Sequence, residues 1–203
     1  MNLDFLIDEI KAMTGIHESR IRNIYLYGSR VYGTNKPNSD YDFLVVGNSL
    51  DREREIKHPK YNVHMNTTDK FQDDLWNYDI TNLECIFAPP FARLQETIDY
   101  RNMITLDPRK VKVRMLDQSH NAWVKAKMKF RERDISRGQK CVWNSLKMLI
   151  FGLQMIESGT IYDFSGANDY WHEIRDSHKT KWDYFRETYL PLKRDLENIL
   201  MDK

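Results

Sequence analysis

Apolar and polar residues follow different patterns in the two halves of the chain. Before residue 107 the apolar runs are short: residues 23–27 end at Gly28 and residues 40–46 end at Gly47, and both predict strands. Residues 61–66 alternate between apolar and polar types, which predicts a third strand with one polar face. A helix ending near Gly15 is predicted by apolar residues at helical spacing: Leu3, Leu6, Ile7, Ile10 and Met13.

Beyond residue 107 the segments become long and charged. They predict helices near residues 110–133, 138–158 and 181–201, the middle one with a continuous apolar stripe. Helical turns are predicted at residues 71–76 and 83–87, before Pro89 and Pro90 interrupt the chain. We therefore expect an α/β domain over residues 1–106 and a helical domain over residues 107–203.

Composition narrows the class of protein. With 203 residues, 41% of them hydrophobic, the chain suits one domain or a compact domain with a smaller helical companion. The longest apolar stretch, residues 146–156, is too short to cross a bilayer, and residues 1–5 lack the features of a signal peptide. Two cysteines make no disulfide framework. We expect a soluble, cytoplasmic protein.

Basic residues concentrate in one segment, although the formal net charge of the chain is only +1. Residues 109–147 contain twelve Lys or Arg and three acids, a net charge of +9, so the remainder carries −8. Clustered cations attract a phosphate backbone, which makes RNA one candidate partner for this segment. Alternatively these residues only solvate a helix, because the cations between 125 and 133 alternate and spread around it.

The residues that point to chemistry lie between the first two predicted strands. Gly28 and Ser29 follow the first strand, and after ten intervening residues Asp40 and Asp42 open the second. A glycine-serine turn presents N–H groups and a hydroxyl that can bind phosphate. Two carboxylates two residues apart on a strand share one face, and such oxygen ligands suit Mg²⁺. The combination predicts a site for a metal-bound nucleoside triphosphate and displacement at phosphorus.

This stretch resembles the DNA polymerase β-like nucleotidyltransferase superfamily, whose signature is Gly-Ser followed by Asp-x-Asp. Residues 28–33 and 39–42 are most similar to the bacterial and phage "predicted nucleotidyltransferase" family, with a weaker likeness at 70–71, 83–84 and 140–161. The resemblance implies an α+β nucleotidyltransferase fold: a mixed sheet with flanking helices, followed by a C-terminal helical bundle that binds the acceptor.

The resemblance also implies an activity and a set of ligands. The expected reaction moves a nucleoside monophosphate from a nucleoside triphosphate to a hydroxyl of RNA, a protein or a small molecule. Mg²⁺, or Mn²⁺ in its place, is expected at Asp40 and Asp42, and the nucleotide at Gly28, Ser29 and Ser39. Arg30 either touches the triphosphate or is an ordinary surface arginine. Lys147, with Arg137 and Lys140, is either a phosphate ligand or a solvated lysine.

The sequence departs from the family pattern at the third carboxylate, which active members usually carry on the next strand. Residues 60–66 contain no acid, and Asn62 and His64 occupy the polar face. Asn62 can offer a carbonyl oxygen to a metal, and His64 can act as a base or a softer ligand. Alternatively an acid of the following helices takes the role: Glu84, Asp69, Asp73, Asp74 or Asp79. If the third site is lost, the protein is an impaired enzyme that binds nucleotide or RNA or acts as an antitoxin-like module.

Overall fold

The computed structural model of the chain describes residues 3–48 and 54–203, with side chains from residue 6 onward, so the side chain of Leu3 lies outside the described part. The helices are α1 Leu3–Thr14, α2 Ser29–Tyr32, α3 Thr68–Trp76, α4 Ile80–Phe87, α5 Pro108–Arg131, α6 Ile135–Ser158, α7 Asn168–Asp176 and α8 Trp182–Asp202. The strands are β1 Ile21–Tyr27, β2 Tyr41–Gly47, β3 Arg54–His58, β4 Tyr61–Thr67 and β5 Arg93–Glu96. The chain divides into two compact units, Met1–Thr105 and Leu106–Lys203.

The first unit is built on a mixed five-stranded sheet with the order β3-β4-β2-β1-β5. β2 and β4 are parallel, and the other neighbours are antiparallel. β2 lies at the centre because its residues 43–46 form a continuous apolar run that is buried on both faces. The predicted strands are confirmed, with ends that differ from the expected ones by one or two residues.

Helices cover both faces of this sheet. On one face the ring of Tyr25 stacks on Phe71 of α3, with ring centroids 5.9 Å apart. On the other face the hydroxyl of Tyr61 donates to Glu9 of α1 at 2.8 Å. The predicted first helix is confirmed, with Leu6 and Ile10 buried. It ends as expected at Gly15, whose φ of 63° closes the helix.

The second unit is a helical bundle around the antiparallel pair α5 and α6. The pair packs closely at two glycines of α6: a Cβ on Gly138 would meet the Phe130 ring at 2.8 Å, and one on Gly152 would meet Met115 at 2.9 Å. Phe130 also stacks on Phe185 of α8 with centroids 4.6 Å apart. The predicted α+β fold with a C-terminal helical bundle is thereby confirmed. No helix within residues 3–48 and 54–203 is long and apolar enough to span a bilayer.

Candidate functional site

Two carboxylates and one amide meet at one end of the sheet. Asp40 immediately precedes β2, Asp42 lies on it, and the parallel register places Asn62 of β4 opposite Asp42. The Asn62 amide nitrogen donates to Asp40 Oδ2 at 2.6 Å and to Asp42 Oδ1 at 3.0 Å. Asp40 is exposed and Asp42 half-buried, so both carboxylates are accessible to solvent. We call these three side chains the carboxylate clamp.

The glycine-serine turn lies directly against this clamp. Tyr27, the last residue of β1, is paired with Asp42, and the chain then turns at Gly28. Gly28 has φ 79° and ψ −152°, a conformation essentially restricted to glycine. A Cβ at this position would lie 2.7 Å from Asp42 Oδ2, so only glycine allows the backbone to approach the carboxylate. Ser29 then begins the short helix α2.

The loop between α2 and β2 is fastened by Arg30. Its guanidinium donates to the backbone carbonyls of Ser39 and of Asp40, the latter at 3.2 Å, and it stacks 3.6 Å above the Tyr41 ring. The Ser39 hydroxyl accepts from the backbone N–H of Lys36 at 2.8 Å. These contacts place Arg30 and Ser39 beside the clamp, and they hold the loop that delivers Asp40.

His64 lies on the same face of β4 as Asn62, two residues further along. Glu55 of β3 stands directly opposite it in the antiparallel register, with 3.5 Å between His64 Nε2 and Glu55 Oε1. The Tyr27 ring meets the imidazole edge-on, with centroids 6.2 Å apart. Burial raises the pKa of the Tyr27 hydroxyl far above its usual range, and the Asp42 carboxylate raises it further, so this hydroxyl remains protonated.

Glu55 is the residue that sequence reasoning missed. It lies on an exposed edge strand whose residues, Arg-Glu-Ile-Lys-His, are mostly polar. The available signal was Pro59-Lys60, a turn that joins this run to the alternating residues 61–66 and so predicts a hairpin.

Glu84 is placed differently from the clamp residues. It lies on α4, is only 4% exposed, and accepts a hydrogen bond from the hydroxyl of Tyr32. Burial raises the pKa of Tyr32, and the neighbouring Glu84 carboxylate adds to the rise. The contact links α2 to α4 beneath the glycine-serine turn.

The other acids considered from the sequence lie on or before the helices that follow β4. Asp79 caps α4 by accepting from the backbone N–H groups of Thr81 and Asn82, and Asp74 is paired with Lys70. Asp69 and Asp73 are exposed on α3.

Lys147, the predicted phosphate ligand, belongs to the second unit. It is 2% exposed on α6, and its Nζ lies 5.3 Å from the Trp143 ring and 5.2 Å from the Phe151 ring. The alternative of a lysine that reaches water is therefore wrong for Lys147. Arg137 and Lys140 are exposed near the start of the same helix.

The donor set of the clamp has the chemistry of a magnesium site. Two carboxylate oxygens are already drawn to one amide nitrogen, and rotation of the Asn62 amide would present its carbonyl oxygen in the same place. Mg²⁺ is usually held by one or two carboxylates together with substrate phosphates, which is the number available here. Within the described ranges 6–48 and 54–203, no group of three or more His, Cys, Asp or Glu side chains is placed to hold a metal.

A family model described as "Nucleotidyltransferase domain" matches residues 6–115. The chain belongs to this family. The match includes the glycine-serine turn, Asp40, Asp42 and all five strands, so the predicted resemblance to nucleotidyltransferases is confirmed, and with it nucleotidyl transfer as the general class of function.

A solved structure agrees with the nucleotidyltransferase fold. A spectinomycin adenyltransferase from Enterococcus faecialis, determined with ATP and spectinomycin, has a TM-score of 0.51 at 14% identity, covering 98% of this chain and 100% of that one. A nucleotidyltransferase-like protein from Exiguobacterium sibiricum has a TM-score of 0.38 at 12% identity, covering 100% of this chain and 76% of its own. None of the curated proteins compared with this nucleotidyltransferase matches it in sequence.

Proposed function

We propose that this nucleotidyltransferase moves a nucleoside monophosphate from a nucleoside triphosphate to the hydroxyl of an acceptor. The observation that carries the proposal is the carboxylate clamp. Asn62 holds Asp40 and Asp42 together. The adjacent turn brings the Gly28 backbone so close to Asp42 that no other residue would fit there. The similar adenyltransferase was determined with ATP, which supports a nucleoside triphosphate as the donor.

Each part of the candidate site would have a distinct task. The backbone of Gly28 and the hydroxyl of Ser29 would hold the outer phosphates, as anion-binding turns do. Asp40, Asp42 and the Asn62 oxygen would hold Mg²⁺ or Mn²⁺. When bound, this ion would supply charge neutralisation at the phosphates. Arg30 would keep the loop closed, so that Asp40 stays next to Asp42.

The reaction would be an in-line displacement at the α-phosphorus of the nucleotide. The acceptor oxygen would bond to the α-phosphorus, the bond to the oxygen that bridges the α- and β-phosphorus atoms would break, and pyrophosphate would leave. The acceptor proton would pass to His64, which is 41% exposed and held by Glu55, whereas Glu84 is buried under Tyr32. We therefore place His64 in the base role and give Glu84 a positioning role.

A second candidate function is nucleotide binding without turnover. It is favoured by the polar face of β4, where Asn62 and His64 stand in place of the third carboxylate that the resemblance implies, and by the two-carboxylate composition of the clamp. Such a protein would act as a nucleotide sensor or as a module that occludes a partner. The two candidates differ in one observable, because both bind nucleotide and only the enzyme releases pyrophosphate.

The deciding experiment is label transfer. The purified chain is incubated with each α-labelled nucleoside triphosphate, Mg²⁺ or Mn²⁺, and a cell extract divided into RNA, protein and small-molecule fractions. We expect label in one fraction, and a loss of at least about 100-fold in Asp42→Asn, because a phosphoryl site loses several kcal/mol of charge stabilisation with a metal ligand.

The matched control for this loss is Asp8→Asn, which removes one carboxylate from the exposed face of α1. Equal activity in Asp42→Asn and Asp8→Asn would contradict the assignment of the clamp. Saturable nucleotide binding with no label in any fraction would support the second candidate.

A further inference from the structure

The end of the α5–α6 pair in the second unit carries a cluster of cations. We call it the basic tip: Lys125, Lys127, Lys129, Arg131, Arg133, Arg137 and Lys140. Two of its cations have acidic partners, since Lys129 lies 2.6 Å from Glu132 and Arg137 lies 3.5 Å from Asp134. The other five are exposed, and no acid among the residues the structure describes lies within 4.0 Å of them. The tip therefore has charge that no ion pair among the described residues neutralises.

Fold stability accounts for only part of this charge, since Lys129 and Arg131 lie in the last turn of α5, where the helix dipole favours cations. Arg133 occupies the turn between the helices with a φ of 62°, a position that favours glycine or asparagine. Arg137 lies in the first turn of α6, where the helix dipole disfavours a cation. The tip also spans both helices, because α5 ends at Arg131, α6 begins at Ile135, and the Phe130 ring packs directly against Gly138.

Aromatic rings adjoin the basic tip. Trp123 lies one helical turn before Lys127 and two turns before Arg131, which puts the three on one face of α5. Its ring meets Trp182 at the start of α8 edge-on, with centroids 5.1 Å apart, and both rings are half-buried. Two further exposed lysines, Lys179 and Lys181, directly precede Trp182. Proteins bind single-stranded nucleic acids with partly exposed aromatic rings next to cations, because bases stack on the rings and the cations neutralise the phosphates.

We propose that the basic tip and the Trp123–Trp182 pair form a binding surface for single-stranded nucleic acid. A duplex would offer phosphates to the cations but would keep its base faces stacked away from the indoles. A single strand offers both. That the bound strand is also the acceptor of transfer rests on the proposed function, whereas the binding itself does not.

The test measures binding of the full chain to labelled oligonucleotides of about 16 nucleotides, the upper site size of comparable single-strand sites. Single-stranded RNA, single-stranded DNA and inorganic polyphosphate are compared across a range of salt concentrations. The tip variant is Lys127→Gln/Arg131→Gln/Lys140→Gln. Its matched control, Arg109→Gln/Lys110→Gln/Arg194→Gln, removes three exposed cations of the same unit outside the tip.

We expect the tip variant to bind about 100-fold more weakly at 0.1 M salt and to lower the salt slope by about 2, because each phosphate contact to a single strand contributes about 0.7. The control triple should bind like the wild type. Oligonucleotide should quench tryptophan fluorescence and polyphosphate should not, and the quench should vanish in Trp123→Phe/Trp182→Phe, which keeps the aromatic packing. The RNA and DNA arms identify which strand is preferred.

Three results would overturn the inference. These are equal losses in the tip and control triples, polyphosphate that binds as tightly as oligonucleotide with the same quench, and tighter binding to anionic lipid vesicles than to either strand. Asp42→Asn separates this inference from the proposed function. It should bind the oligonucleotide normally and lose transfer. Retained transfer in Asp42→Asn with normal binding would contradict only the clamp, and oligonucleotide binding that the tip variant leaves unchanged would contradict only the tip.

Discussion

Asn62 occupies the point of the site where an extra negative charge would have the largest effect. Its amide donates to both Asp40 and Asp42, so it offsets part of the repulsion between two neighbouring carboxylates. An aspartate is nearly the same size but has no N–H to donate. The identity of this one side chain therefore decides whether the repulsion between the carboxylates is offset without a cation or requires one.

Asn62→Asp should make the protein depend on divalent cations. Without them we expect the free energy of unfolding to fall by about 2 kcal/mol, because two hydrogen bonds to charged groups are lost and a third negative charge is added. Mg²⁺ should restore most of this loss. Thermal unfolding with and without Mg²⁺ measures both effects.

Asn62→Ala is the matched comparison, since it removes the donors without adding a charge. Its melting temperature should fall as well, but Mg²⁺ should raise it no more than it raises that of the wild type. The same Mg²⁺ response in the aspartate and alanine variants would show that no cation binds at the clamp.

A comparison of Gly28→Ala with Gly159→Ala distinguishes the effect of the close approach to Asp42 from the effect of backbone strain alone. Both have positive φ, but only Gly28 lies in the glycine-restricted region, and a Cβ added there would lie 2.7 Å from Asp42 Oδ2. Gly159 adopts the milder left-handed helical conformation with open space around it. We expect Gly28→Ala to cost about 3 kcal/mol and to abolish transfer, and Gly159→Ala to cost about 1 kcal/mol and leave transfer intact. Equal transfer by the two variants, measured beside their unfolding curves, would remove the turn from the site.

Variants of the buried Tyr32–Glu84 contact between α2 and α4 distinguish a positioning role of Glu84 from a catalytic one. Tyr32→Phe removes a donor to a carboxylate that is 4% exposed, so we expect a loss of about 2 kcal/mol in unfolding free energy. Tyr162→Phe, at a side chain that is 64% exposed, should change the stability little. Glu84→Gln keeps an oxygen that can accept from Tyr32, and it should retain most of the transfer activity. Full stability with no transfer in Glu84→Gln would instead make Glu84 the proton acceptor.

Elements with a strong apolar pattern were predictable from the sequence, and edge elements were not. β1, β2 and β4 are central strands, so burial forces an apolar run or a clean alternation on them. β3 and β5 are the two edges of the sheet, where one side of each strand has no neighbour and polar residues are tolerated. α7 was missed for a related reason, because only Ile174 of its nine residues is buried.

The same distinction explains how much of the site could be predicted. Asp40 and Asp42 stand out because they open a strand that is otherwise apolar. The polar positions Asn62 and His64 follow from the alternation of β4. Glu55 could not be placed, since it reaches His64 only through the pairing of an edge strand. The bridging role of Asn62 also depended on register, because the sequence does not show that Asp42 and Asn62 are opposite each other.

Across the whole chain the two units carry opposite charges. Residues 1–105 have a formal net charge of −4 and residues 106–203 one of +5, which together give the total of +1. Each unit has its own buried core, around Phe43 and Val63 in the first and around Phe151 and Phe185 in the second. Ligands of different chemistry can therefore act on separate parts of the molecule.

This separation predicts two distinct footprints in amide hydrogen exchange. A nucleoside triphosphate with Mg²⁺ should slow exchange around residues 25–47 and 61–66, because ordering of the glycine turn and the clamp stabilises the strands that carry them. A single-stranded oligonucleotide should slow it around residues 123–140 and 178–186, where the basic tip and the indole pair lie.

Amide exchange requires local opening, so slower exchange shows that a bound ligand stabilises the segment. Each footprint therefore tests its own proposal even if no product forms. Protection by the nucleotide confined to the second unit would contradict the clamp, and protection by the oligonucleotide confined to residues 25–47 would contradict the tip. If both footprints appear and the two ligands together slow exchange no further than each does alone, the two surfaces bind independently, and the strand need not be the acceptor.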